Sequence, residues 1–191
     1  EFVGISPESV ANFSDSQGRP FAVAQFPSST KVLEMRFATS YISVEQAKKN
    51  LQLEISEGTS FDSVLSDAKA LWNEILNTVE VKGASEQELC RLYSSLYKMF
   101  LFPKNYSENT GTAELPVFKY CSPYSGSADN PTISEGQMYA GNGFWDTYRT
   151  EWPALFLLAP ERAGKLLDGM IQHYKEAGKM PRWSNPGGIL S

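Results

Sequence analysis

The stretch GNGFWDTYRTEWP at residues 141–153 gathers Trp145, Trp152, Tyr148, Arg149 and the carboxylates Asp146 and Glu151 behind a flexible Gly-Asn-Gly. A helix that only had to bury one face would draw on Leu and Ala. The chemistry this mixture suits is sugar binding. An aromatic face stacks on the apolar C–H side of a pyranose, while a carboxylate and a guanidinium hydrogen-bond adjacent hydroxyls, the apolar wall with few placed polar groups that small-ligand sites use. A helix starting at Asp146 puts that carboxylate in its first turn, where the helix dipole favours it. Arg149, three residues on, is then placed to pair with it, and Trp145 at the helix mouth is free to face a cavity. A capped helix with an internal ion pair and a core tryptophan would use the same residues, and spacing alone leaves both readings open.

Arg182 and Trp183 repeat the theme in GKMPRWSNPGG, on an expected loop after a helix. Loops held by a scaffold often carry binding residues, and a surface Arg-Trp stack is the plain alternative. Glycoside hydrolysis needs two carboxylates set across the scissile bond. Glu135, Asp146 and Glu151 lie near the aromatics, but none has a partner whose placement can be argued, and an Asp paired with Arg has a lowered pKa, wrong for a general acid. No catalytic residue is therefore expected among them. His173, the sole histidine, is expected on a helix surface or half-buried. One histidine builds neither a Ser-His-Asp nor a Cys-His system, and zinc spacing, phosphate loop and dinucleotide fingerprint are all missing. Most hydrolase, kinase and oxidoreductase chemistries are excluded for this segment.

The 17 basic and 22 acidic side chains give a net charge of −5 with no basic block, which argues against a nucleic-acid partner. No apolar run approaches the ~18 residues of a membrane span, and no signal-peptide pattern opens the sequence. Sequons at Asn12 and Asn105 lean weakly towards a secreted or extracytoplasmic setting. Cys90, expected half-buried on a helix, and Cys121 either form one bridge or stay free thiols.

The elements that must position these residues change character along the chain. Lys31–Phe37 alternates apolar and charged, the period of a half-buried strand, with residues 21–26 as its expected neighbour. From Ser43 the period becomes helical. Capping boxes at Ser43/Gln46 and Ser85/Glu88 open two helices, and an amphipathic stripe from Phe61 to Leu76 lies between them. Residues 103–143 show no clear periodicity and read as an ordered, site-forming loop with a short strand at 115–118. A helix over 146–158, kinked at Pro153, and another from Pro160 to Ala177 with Gly178 as its cap complete the pattern. The ending is expected to be loop. The order of strands followed by helical hairpins predicts an α+β fold that joins a β domain to a helical one.

The segments TSYISVEQAKKNLQLEI, LWNEILNTVEV, RLYSSLYKMFLFP, GFWDTYRTEWP and LLAPERAGKLLDGMIQHYKEAGKMPRW resemble, in this order along the chain, the α-mannosidases of glycoside hydrolase family 92. The resemblance implies the tail of an N-terminal β-sandwich at 1–42, linker helices at 43–82, and at 83–191 the first part of an incomplete (α/α)6 barrel of antiparallel helical hairpins. It implies a Ca2+-dependent exo-acting enzyme that removes terminal α-linked mannose from glycans with inversion. Trp145 and Asp146 match the family's pair that helps hold mannose in the −1 subsite, Arg149 matches the arginine of the same motif, and Arg182 and Trp183 match a motif near the rim. Trp152 stands where the family usually has His, which puts linkage preference in doubt. The family's acid, base and most calcium ligands belong to motifs with no counterpart here. The segment is thus expected to need the remainder of the polypeptide as a partner and to be inactive alone. Another (α/α)6 glycosidase of trehalase or glucosidase type, or a non-catalytic glycan-binding fragment, are the competing readings.

Overall fold

The computed structural model describes residues 9–127, 130–185 and 188–190, and the chain divides into two units, Glu1–Arg36 and Phe37–Ser191. In the first, strands β1 (Ser9–Ser14) and β2 (Pro20–Gln25) pair antiparallel, from Ser9 opposite Gln25 to Ser14 opposite Pro20. Asp15 closes the hairpin: its Oδ1 accepts from the backbone N–H of Gln17 and Arg19, both at 2.9 Å, and its Oδ2 pairs with the Arg19 side chain. The expected strand at 31–37 does not form, and β2 pairs with β1 instead. Alternation makes a segment fit for a sheet, but only strand pairing makes it a strand, and residues 31–37 join no sheet among the described residues. Leu33 and Met35 are accordingly exposed.

The second unit opens with α1 (Val44–Glu54), α2 (Phe61–Leu76) and α3 (Glu86–Leu101). Each is capped by a serine, Ser43, Ser60 and Ser85, whose hydroxyl accepts from an otherwise unpaired first-turn N–H. At Ser85 the reciprocal bond is present, with the Ser85 N–H donating to Glu88 at 2.8 Å. At Ser43 it is not. The Gln46 amide donates instead to Asn50 Oδ1 at 2.8 Å and to the Asn109 carbonyl at 2.9 Å, because a buried amide is better satisfied there.

Residues 103–143, expected as a loop, form strands: β3 (Lys104–Asn105), β4 (Glu108–Asn109), β5 (Phe118–Gly126), β6 (Pro131–Glu135), β7 (Tyr139–Ala140) and β8 (Asn142–Gly143). The strand expected at 115–118 is mostly a turn, held by Asn109 Oδ1 accepting from Gly111 and Val117, and pairing begins only at Phe118. A single kinked helix over 146–158 is likewise replaced by α4 (Phe144–Thr147) and α5 (Glu151–Leu158). Pro153 lies in the first turn of α5, where its missing N–H costs nothing, so the break falls at 148–150. Helix α6 (Pro160–Ala177) ends as expected at Gly178, which has φ 71°. The C-terminal segment is not loop but β9 (Trp183–Asn185) and β10 (Gly188–Leu190), in a sheet of order β10-β9-β8.

Phe100, Leu155, Ala163 and Leu166 form the apolar core, with Trp72, Met99, Tyr139 and Trp152 packed on it. Beside it α6 meets the strands through polar groups. His173, expected on a helix surface or half-buried, is fully buried. It lies on the same α6 stripe as Ala163 and Leu166, and both ring nitrogens are bonded: Nε2 to the Tyr139 carbonyl at 2.8 Å and Nδ1 to the Tyr124 hydroxyl at 2.5 Å. A carbonyl only accepts, so Nε2 carries the proton, Nδ1 accepts, and the ring is neutral. One turn on, Glu176 accepts from the hydroxyls of Tyr120 and Ser122, and Gln172 donates to Tyr120 at 2.7 Å. Burial pushes the Tyr120 and Tyr124 hydroxyls up to about 12, so both remain protonated. Gly169 permits this close approach: a β-carbon there would lie 2.5 Å from the Tyr139 ring and 2.9 Å from its backbone nitrogen.

Burial holds the His173 pKa below its ordinary value, against the opposing effects of the Tyr139 hydrogen bond and the Glu176 charge. The unfolded chain therefore takes up this proton first as pH falls. Stability from the neutral ring is complete above about pH 6.5 and declines below it. Urea denaturation at pH 7.5 and 5.5 should show a loss at the lower pH that is smaller in His173→Gln. At pH 7.5 that variant should be less stable by about 1–3 kcal/mol for each buried group left unpaired.

A tryptophan and aspartate corner

Two segments forty residues apart in sequence meet where β8 pairs with β9: Asn142 lies opposite Ser184 and Gly143 opposite Trp183. Flanking bonds extend the junction, from the Gly141 N–H to the Ser184 carbonyl at 2.8 Å and from the Phe144 N–H to the Arg182 carbonyl at 3.2 Å. Helix α4 starts directly after Gly143, its N-cap. The buried Thr147 hydroxyl, placed to bond the Gly143 carbonyl at 3.1 Å and Asn142 Oδ1 at 3.2 Å, locks the helix back onto the strand.

Gly143 is what lets the side chains converge. A β-carbon there would lie 2.6 Å from Asp146 Oδ2 and 2.7 Å from the Trp183 ring. The carboxylate and the indole thus border the same point of bare backbone. Trp145 stands on α4, 70% exposed, with its ring against Phe144 at 4.8 Å. Arg182 is exposed beside Trp183. The structure therefore brings Asp146 and Trp183 together across Gly143, with Trp145 and Arg182 adjacent to them in sequence.

Arg149 is placed differently from the sequence expectation. It forms no ion pair with Asp146. Its Nε donates to the Tyr148 hydroxyl at 2.6 Å and its guanidinium lies over the Tyr148 ring, 5.3 Å from the centroid. The reason is the early end of α4, after which Arg149 is no longer on a helical i+3 row. Asp146 is left without a cationic partner among the described residues. Its charge is instead felt by Glu151 at the start of α5, whose pKa is raised first by burial and then by Asp146. Glu135 lies on β6, in an ion pair with Lys119 at 3.4 Å.

Sequence reasoning missed Gly143, Thr147 and Tyr148. The Gly-Asn-Gly before the motif was the available signal for the first, but two-residue strands carry no periodicity. Cys90 is exposed rather than half-buried, and it and Cys121 are free thiols. Asn12 on β1 and Asn105 on β3 are both exposed. Among the described residues no group of three or more His, Cys, Asp or Glu could hold a metal ion. Calcium takes about 6–8 oxygen ligands, and the Asp146 and Glu151 carboxylates at this corner do not fit it. No helix among the described residues is long and apolar enough to cross a membrane.

Residues 46–189 match the model of a glycosyl hydrolase catalytic domain. That model is family 92, to which the chain belongs. The fold is similar to the structure of an inverting mannosidase of the same family from Bacteroides thetaiotaomicron, with TM-score 0.78 and 29% identity over 97% of this chain. The chain spans 25% of that protein's length. Comparison with curated proteins gave no match.

Gly143→Ala should force Asp146 and Trp183 apart at a cost of about 1–3 kcal/mol, the usual penalty for overpacking. Far-UV circular dichroism should be kept while the tryptophan near-UV signal changes. In the background Trp183→Ala the same substitution should cost less, a coupling that a double-mutant cycle in urea would measure.

Proposed function

We propose that this chain is part of the catalytic domain of a Ca2+-dependent, inverting exo-α-mannosidase acting on terminal α-linked mannose of glycans. In this reading Trp145, Asp146 and Arg149 help form the −1 subsite, with Arg182 and Trp183 at its rim. The observation that carries it is the β8–β9 pairing, which sets Trp183 across Gly143 from Asp146. An indole face there can stack on the C–H side of a mannose ring while the Asp146 carboxylate, free of a cationic partner, accepts from its hydroxyls. The likeness to an inverting mannosidase supports the substrate class.

Inversion requires an acid and a base-activated water between carboxyl groups ~6.5–9.5 Å apart. Glu135 is held in an ion pair by Lys119, and Asp146 serves in this reading as a mannose-binding group, so neither is assigned as the acid or the base. The acid, the base and the calcium ligands are then supplied by further polypeptide, which is also the partner that covers the apolar faces of α2 and α5. Residues 1–42 are the end of a β-sandwich, 43–82 linker helices and 83–191 the beginning of an (α/α)6 barrel, in a secreted or extracytoplasmic enzyme. Glycan binding without turnover is the second reading, favoured by the Trp183 ring and the Asp146 carboxylate bordering Gly143, which can hold a sugar without any acid or base.

Assayed within the complete polypeptide with calcium, the protein should release mannose from aryl α-mannosides as the β-anomer, and chelation should abolish this. Asp146→Asn and Trp145→Ala should each lower kcat/KM by about 100-fold or more, an effect of about 2.7 kcal/mol on transition-state binding. Unchanged kcat/KM in both variants would remove these residues from the subsite. The 191 residues alone should show no turnover.

A further inference from the structure

A second cleft shares no residue with the tryptophan and aspartate corner. It has a volume of about 430 Å³ and lies between residues 37–41, α1 and the strands β3 and β4, within the 300–1,000 Å³ range of ligand pockets. Its floor is a fixed polar lattice. Asn50 donates to Glu108 Oε2 at 2.7 Å and to the Thr39 carbonyl at 3.2 Å, while Glu108 Oε1 accepts from the Tyr41 N–H at 2.7 Å. Gln46 holds Asn50 from behind at 2.8 Å. Gln46 and Asn50 are each only 8% exposed, so the floor is set before anything binds. Each carboxylate oxygen of Glu108 keeps a lone pair beyond its one protein bond. The wall is aromatic, with the Tyr41 and Tyr106 rings 5.6 Å apart and inclined at 60°. Tyr41 is 57% exposed.

We propose that this cleft is a second carbohydrate site, taking a neutral hexopyranose residue by stacking on Tyr41 and Tyr106 and donating its hydroxyls to Glu108. Neutrality follows from the lining, where Glu54 and Glu108 outweigh Lys104 and disfavour an anionic sugar or a phosphate. Acceptors fixed in advance beside an angled aromatic wall suit a ligand rich in hydroxyls with one apolar face. Burial, with the nearby Tyr41, also keeps the Tyr106 hydroxyl protonated as a donor. The choice of mannose as the probe rests on the mannosidase reading; the cleft itself does not.

The test is a ¹H–¹⁵N titration of the full chain with methyl α-D-mannopyranoside, following the amides of Tyr41, Asn50 and 104–108 separately from the indoles of Trp145 and Trp183. Shifts of the cleft amides are expected, with affinity weakened about tenfold in Tyr41→Ala and in Tyr106→Ala, the size of one lost aromatic contact. Because Tyr41 is exposed, its variant keeps the test independent of folding. Shifts confined to the indoles would overturn the cleft while leaving the mannosidase reading intact. Shifts confined to the cleft would sustain it and count against the corner. Unchanged cleft affinity in Tyr41→Ala, or tighter binding of glucuronate than of the mannoside, would also overturn it.

Discussion

The contact between α6 and the strands β5 and β7 is polar, enclosed and bonded on both sides, and the placement of the corner follows from it. Gln172, His173 and Glu176 reach Tyr120, Ser122, Tyr124 and the Tyr139 backbone. Buried groups in such a network are satisfied in only one relative placement of their elements, since any slip leaves a donor or acceptor without water and without a partner. An apolar seam would tolerate sliding far better. From Tyr139 the chain runs directly through β7 and β8 into α4, so fixing Tyr139 fixes the point from which Trp145 and Asp146 depart. The absent side chain of Gly169 is part of the same constraint, because it sets how closely β7 lies against the helix.

The helices were largely legible in the sequence. Ser85 with Glu88, the stripe from Phe61 to Leu76, Pro160 and Gly178 all act locally, through caps and periodicity that involve neighbours within one or two turns. What was not legible depends on partners distant in sequence. Residues 31–37 have the alternation of a strand but belong to no sheet among the described residues, while residues 142–143 have no alternation and do pair, with 183–184. His173 was expected at most half-buried, yet its full burial is permitted by Tyr124 and the Tyr139 carbonyl, which no local pattern reveals. The corner was half legible. Its residue types were evident, but the Asp146–Arg149 pairing presumed a continuous helix. That helix ends early, with Arg149 turned onto Tyr148.

The exposed apolar surface complements this account. Phe61 and Leu71 on α2 and Leu157 on α5 are between 62% and 81% exposed, though each lies on an amphipathic or wholly apolar helix. These faces stand apart from the polar lattice, whose groups bond one another within the unit and so fix geometry without drawing on the exposed apolar surface.

The shortness of β7 and β8 has a dynamic consequence. Two-residue strands hold few backbone hydrogen bonds in series, so each end of the junction can open without disturbing the eighteen-residue helix behind it. The tryptophans of the corner are therefore carried on a strap rather than set in a slab. Their resting position is inherited from α6, while small excursions at the junction need not be passed on to it.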